Sequence, residues 1–298
     1  MHTIRIAASE GLYLTADQWG DPKNPPVMMF HGAGQNRHAW KKTASSLSGQ
    51  GYFVITVDAR GHGDSDWSPD AHYDSDDVGR DIQTLVSSLS RRPAVVGASM
   101  GGMGCLAAQR LHNQQLFEAV VLVDITPDFD VEGARRVISF MAGHPEGFRT
   151  LDEAASAIAA YNPHRKKATN SAGLSKVLQQ REDGRWIWRW DPAYVSSKPW
   201  FDTNSPDLMS ISMARTSKIM AEGLRAVETP VLLVRGQQSD LVTPEAVKKF
   251  LDIKPEAEFV DVAGTGHMVA GDDNDAFTSA VAKFLLKHFS PAFNEESR

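Results

Sequence analysis

The sequence predicts an α/β fold: a mostly parallel sheet of eight strands with helices on both faces, interrupted by a helical insertion. Three observations carry this expectation. Short continuous apolar runs recur at Val27 to Phe30, Phe53 to Val57, Ala94 to Gly97 and Ala119 to Val123, as strands buried on both faces should. Stretches with helical apolar spacing separate them, the alternation that produces a parallel sheet. The alternation then stops between Pro127 and Val227 and resumes at Val231 to Val234 and Glu258 to Val262.

Taken in order, Ile4 to Ala8 and Leu12 to Trp19 read as two strands joined at Ser9-Glu10-Gly11. The proline-rich stretch Asp21 to Pro26 is a loop before the first buried strand. A helix follows over Trp40 to Leu47. From Ser75 to Leu89, apolar residues at Val78, Ile82, Leu85, Val86 and Leu89 keep helical spacing, with Ser75, Asp76 and Asp77 as cap and dipole complement. The strand at Ala94 runs into a helix over Met100 to Asn113.

Inside the interruption, helices are expected at Val131 to Met141, Leu151 to Tyr161 and Pro206 to Leu224, the second opened by the capping box Thr150 to Glu153. An aromatic stretch lies between them: Trp186, Trp188, Trp190, Tyr194, Trp200 and Phe201. The spacing of Trp186, Trp188 and Trp190 puts three indoles on one side of an extended segment. Most of these rings should hold the insertion together, with at least one of the six, Trp186, Trp188 and Trp190 foremost, a candidate for lining a substrate pocket. Thr243 and Pro244 start a further helix, and Phe277, Ala280, Val281, Phe284 and Leu285 form the inner face of the last one. The expected division is therefore a core over residues 1–126, a helical cap over 127–225 and core again over 226–298.

Bulk composition narrows the function. The chain has 298 residues, 31 basic and 37 acidic, for a formal charge of −6. It thus lacks the basic field that nucleic acid or an anionic membrane would attract. No apolar stretch reaches the about 18 residues that a membrane span requires, and the N-terminus does not read as a secretory signal. A cytoplasmic protein is the expectation. The single cysteine, Cys105, excludes an intrachain disulfide and falls where a small buried residue is usual. The histidines lack ligand spacing, so no metal is expected. No lysine with serine or threonine follows the glycine-rich pieces, which do not fit a phosphate cradle, and no cofactor is expected. The oligomeric state is left open.

One stretch points to chemistry. Gly97-Ala98-Ser99-Met100-Gly101 stands between an apolar strand and a helix, the context in which Gly-x-Ser-x-Gly acts as a tight elbow presenting its serine. Three further motifs end predicted strands: His31-Gly32, Asp58-x-Arg60-Gly61-His62-Gly63-x-Ser65, and Gly266-His267. Chemistry in open α/β sheets gathers at such carboxyl ends. Together these motifs resemble the α/β-hydrolase fold superfamily over almost the full length.

The resemblance implies a serine hydrolase, carboxylesterase-like, with Ser99 as nucleophile and His267 as its base. His31 and His62 would support loops. The backbone N–H groups of Ala33 and Met100 would form the oxyanion hole. The acid must lie between Ser99 and His267, and two candidates remain. Asp240 follows the seventh strand, but the usual position, three after Gly236, is held by Ser239. Asp124 caps the sixth strand in Val123-Asp124-Ile125-Thr126-Pro127, which resembles the Asp-Phe-Thr-Pro of acetamidomethylene-succinate hydrolases. Asp124 is therefore preferred, with Asp240 the alternative. The implied reaction is hydrolysis of a small to medium ester or lactone. Carbon-carbon bond cleavage, amide hydrolysis and perhydrolysis would use the same triad, and a non-catalytic small-molecule binder is the reading from another class. Epoxide hydrolysis and dehalogenation are disfavoured, because they need a carboxylate at position 99.

Overall fold

The computed structural model describes residues 1–161, 171–198, 206–266 and 275–291. The chain opens with the antiparallel pair β1 (His2–Ala7) and β2 (Tyr13–Trp19), followed by β3 (Pro26–Phe30), α1 (Lys41–Gly49), β4 (Phe53–Val57) and α2 (Ser75–Ser87). Next come β5 (Ala94–Ala98), α3 (Met100–Arg110) and β6 (Ala119–Val123). An insertion then contributes α4 (Val131–Ala142), α5 (Leu151–Tyr161), β7 (Leu178–Gln180), β8 (Trp186–Trp188), α6 (Ala193–Ser196) and α7 (Pro206–Ala226). The chain closes with β9 (Val231–Gly236), α8 (Pro244–Ile253), β10 (Glu258–Val262) and α9 (Asp275–His288).

Eight strands form one sheet in the order β1-β2-β4-β3-β5-β6-β9-β10, antiparallel across β1, β2 and β4 and parallel from β4 onward. Strand alternation sorts side chains to two cores. Met28, Phe30, Ile55, Val57 and Val95 face α2, α3, α7 and α8, while Val27, Met29, Val54, Ala94 and Val96 face α1 and α9. Each large apolar side chain buried in this way contributes about 1.5–3 kcal/mol. Covering both faces is what makes the parallel strands read as unbroken apolar runs.

Helix α2 starts one residue later than its true cap. Asp74 is the N-cap, and its N–H donates to Asp77 Oδ2 at 2.8 Å. The Thr150 box is only half formed: Glu153 N–H donates to Thr150 Oγ1 at 3.1 Å, but Glu153 Oε2 accepts from Arg149 N–H, one residue before the cap.

One feature departs from the expectation. The insertion is not purely helical: the extended segment expected at Trp186 to Trp190 pairs, through β8, with β7 as a short antiparallel ribbon. Its aromatic residues form a third core, in which Trp188 stacks on Trp190 with centroids 4.6 Å apart and meets Phe148 edge-on at 5.3 Å.

Candidate active site

Parallel register brings the sequence motifs to one edge. Phe30 pairs with Gly97, Ala98 with Val123, and Val123 with Val234. His31, Ser99 and Asp124, which follow β3, β5 and β6, and Arg235 near the end of β9 therefore emerge side by side at the carboxyl end of the sheet.

At Ser99 the backbone turns from β5 into α3 within one residue, at φ 44° and ψ −112°. A non-glycine residue in that region carries strain of about 1–3 kcal/mol and persists only where its surroundings enforce it. Here Ser99 N–H donates to Val123 O at 3.0 Å, and Ser99 O accepts the first helical bond, from Met103 N–H at 2.9 Å. Gly101 permits the turn: a Cβ there would lie 2.3 Å from Phe30 O.

Asp124 also leaves its strand with positive φ, 50°, and is fully buried. Its Oδ1 accepts Gly236 N–H at 3.0 Å and its Oδ2 accepts the Ser239 hydroxyl at 2.6 Å. The donors come from the last residue of β9 and the turn after it, so the station where Ser239 replaces a carboxylate carries a residue that orients one. Asp240 points elsewhere. Its carboxylate is 40 % exposed and forms an ion pair with Arg136 on α4. His267 lies outside the described residues, as do Trp200 and Phe201. The chain immediately before His267 can be placed, since Gln238 N–H donates to Thr265 O at 2.9 Å and a Cβ on Gly236 would lie 2.2 Å from Gly266 O. Gly266 thus runs directly beside the residue whose N–H holds Asp124.

The turn after β3 is stapled by two neutral imidazoles. His31 Nδ1–H donates to Gly32 O at 2.8 Å, while Nε2 accepts Ala59 N–H at 3.0 Å. His62 Nδ1–H donates to Arg60 O at 3.1 Å, while Nε2 accepts Gly34 N–H at 3.2 Å. Burial pushes His31 down to about 4 and His62 down to about 3. Both rings support the loop bearing Ala33. Among the described residues, neither Ala33 N–H nor Met100 N–H has a hydrogen-bond acceptor.

These two histidines also set a pH dependence. Unfolded imidazoles titrate near pH 6.5, so between that value and about 4 the unfolded chain binds more protons and acidification destabilises the fold. The loss is about 2 kcal/mol for each histidine between pH 6.5 and 5. Urea midpoints at pH 7 and pH 5 should therefore fall less in His62→Gln than in the wild type; an unchanged difference would refute the assignment.

Two cavities meet at Ser99. The larger, of about 460 Å³, runs between the sheet edge and the insertion, with Met103, Ile125, Val137, Met213, Ile219 and Leu241 in its wall. Its lining also includes Asp74, Arg80 and Arg215, all exposed, where it reaches solvent. The smaller, of about 70 Å³, lies beside the Gly32 to Gln35 turn and is also lined by Val137, Phe140, Met141 and Tyr161. Trp186, Trp188 and Trp190 line neither cavity, which corrects the expectation for them. Trp188 and Trp190 stack on each other, and the Trp190 ring sits behind the Ala33 turn, 3.4 Å from where a Gly34 Cβ would be. Sequence reasoning missed Ser239's bond to Asp124 and the apolar wall residues, although Tyr194, one of the aromatic rings it offered, does line the larger cavity. The serine alone left a signal, in its spacing from Gly236.

Residues 25–273 match the family model for the alpha/beta hydrolase fold. The chain belongs to the α/β-hydrolase family, and it is an enzyme of that type. A 3-hydroxybutyrate-oligomer hydrolase of Cupriavidus necator is 28% identical to this hydrolase over 276 residues, 89% of this chain and 90% of that protein. An esterase of Mycobacterium tuberculosis is 26% identical over 280 residues, 91% of this chain and 86% of its own. The crystal structure of E-2-(acetamidomethylene)succinate hydrolase superposes on this hydrolase with a TM-score of 0.78 at 24% identity, covering 95% and 99% of the two chains, a likeness of fold. Among the described residues, no helix is long and apolar enough to cross a membrane.

Proposed function

We propose that this hydrolase cleaves a small to medium carboxylic ester or lactone through an acyl-enzyme on Ser99. The observation that carries the reading is the strained elbow at Ser99, level with the buried Asp124 and opening onto both cavities. A hydroxyl is a weak nucleophile at neutral pH and needs a base. In this reading Ser99 Oγ attacks the carbonyl carbon as its proton passes to His267. Asp124 orients the imidazole and stabilises its charge, and the N–H groups of Ala33 and Met100 hold the oxyanion. The tetrahedral adduct collapses, the carbon-oxygen bond to the alcohol breaks, and His267 gives the proton to the departing oxygen. Water then gives a proton to His267 and attacks the acyl carbon, releasing the acid and restoring Ser99.

Asp124 is preferred over Asp240 because its two oxygens are already fixed by Gly236 and Ser239, whereas Asp240 is engaged by Arg136. The names of the relatives, an esterase and an oligomer hydrolase, agree with ester chemistry. The segment from 127 to 225 acts as a cap that sets specificity, since α4 and α7 supply much of the cavity wall. A chromogenic acetate ester tests the reading. Turnover above the buffer rate supports it, and stoichiometric ligand binding without turnover would mark a binder instead.

A further inference from the structure

Both cavities touch Ser99 and Ala33, so an ester with its carbonyl at the oxyanion position must send one arm into each. The two arms have different fates. The alcohol must leave before water can attack the acyl-enzyme, while the acyl group must stay. The large cavity has an exit, because Asp74, Arg80 and Arg215 in its lining are exposed. Among the described residues that line the small cavity, none is exposed. We propose that the small cavity is the acyl subsite, that it restricts the hydrolase to short acyl groups, and that Phe140 sets the limit. The assignment rests on the Ser99 chemistry proposed above.

Its size decides the class of substrate. A volume of about 70 Å³ is roughly two water-sized shares of about 30 Å³ each, room for two or three carbons beyond the carbonyl. Acetyl, propionyl and butyryl groups fit; octanoyl does not. The large cavity, more than six times the volume, takes the alcohol and provides the path by which water replaces it. In the end wall of the small site the half-buried Phe140 ring stacks on Tyr161 with centroids 4.3 Å apart and leans on Trp188 at 5.6 Å, so a longer acyl chain must displace a ring held by two aromatic neighbours. Phe140 and Tyr161 touch only the small cavity, whereas Val137 and Met141 border both, so Phe140 separates the two subsites cleanly.

The test uses two ester series on the full-length enzyme. With p-nitrophenol fixed as the leaving group and the acyl chain lengthened, kcat/KM should fall at least 100-fold between butyrate and octanoate. With acetyl fixed and the alcohol enlarged from p-nitrophenol to 1-naphthol and 4-methylumbelliferone, it should change less than tenfold. In Phe140→Ala the octanoate to acetate ratio should rise at least tenfold. The wild-type series needs no variant, so a poorly folded Phe140→Ala protein would not protect the idea. Ser99-dependent turnover in which octanoate equals acetate, or in which alcohol size is limiting instead, overturns the subsite assignment alone. Turnover that persists in Ser99→Ala overturns the underlying chemistry and this assignment with it.

Discussion

Replacing Ser99 by alanine should lower kcat on a chromogenic ester by about 10⁶ while leaving the protein folded. The second half of that expectation follows from the backbone. Alanine carries the same Cβ as serine, so the φ of 44° is neither easier nor harder to hold, and the elbow's anchor, the Ser99 N–H bond to Val123 O, does not involve the side chain. A urea midpoint close to that of the wild type would separate lost chemistry from lost structure. Any residual rate should reflect the oxyanion donors alone, about 10³ to 10⁴ over water. A Ser99→Ala protein retaining a tenth of the activity would contradict the nucleophile assignment.

Asp124→Asn should lower kcat by about 10⁴, by analogy with other triads in which the amide stabilises the wrong imidazole tautomer. The change is isosteric, and Oδ1 or Oδ2 survives as an acceptor. What is lost is the negative charge opposite the developing imidazolium. The Asn NH₂ must also face either Gly236 N–H or the Ser239 hydroxyl, and only the hydroxyl can rotate to accept from it. Asp240→Asn should leave kcat within about twofold, since removing an exposed ion pair such as Arg136–Asp240 typically costs less than 1 kcal/mol even in stability. If Asp240→Asn were the crippled variant and Asp124→Asn the active one, the acid would have to be moved to the turn after β9.

The sheet was legible because parallel strands buried on both faces leave continuous apolar runs. β4, β6 and β10 begin and end where the residues suggested. The site's skeleton was legible for a related reason: register places the residue after each strand on one edge, so motifs far apart in sequence become neighbours. The cavities were not legible. Helical spacing on α7 looks the same whether Met213 and Ile219 meet another helix or an empty space, and α4 hides the same ambiguity at Val137 and Phe140. The tryptophans misled in the opposite direction. A cluster of aromatic residues in an insertion suggests a substrate surface, yet Trp188 and Trp190 are 8% and 5% exposed and serve as the insertion's own core. Ser239 lay between these cases, conspicuous by position and silent about its partner until its hydroxyl was seen on Asp124.

The central claim is that Ser99 carries the acyl group. It is tested most directly by inactivating the enzyme with a serine-directed fluorophosphonate and mapping the adduct by peptide mass spectrometry. The account predicts one phosphonyl group per chain, on Ser99, with activity lost in proportion to labelling and no adduct in Ser99→Ala. Full inactivation with Ser99 unmodified, or an active enzyme with Ser99 fully labelled, would contradict it.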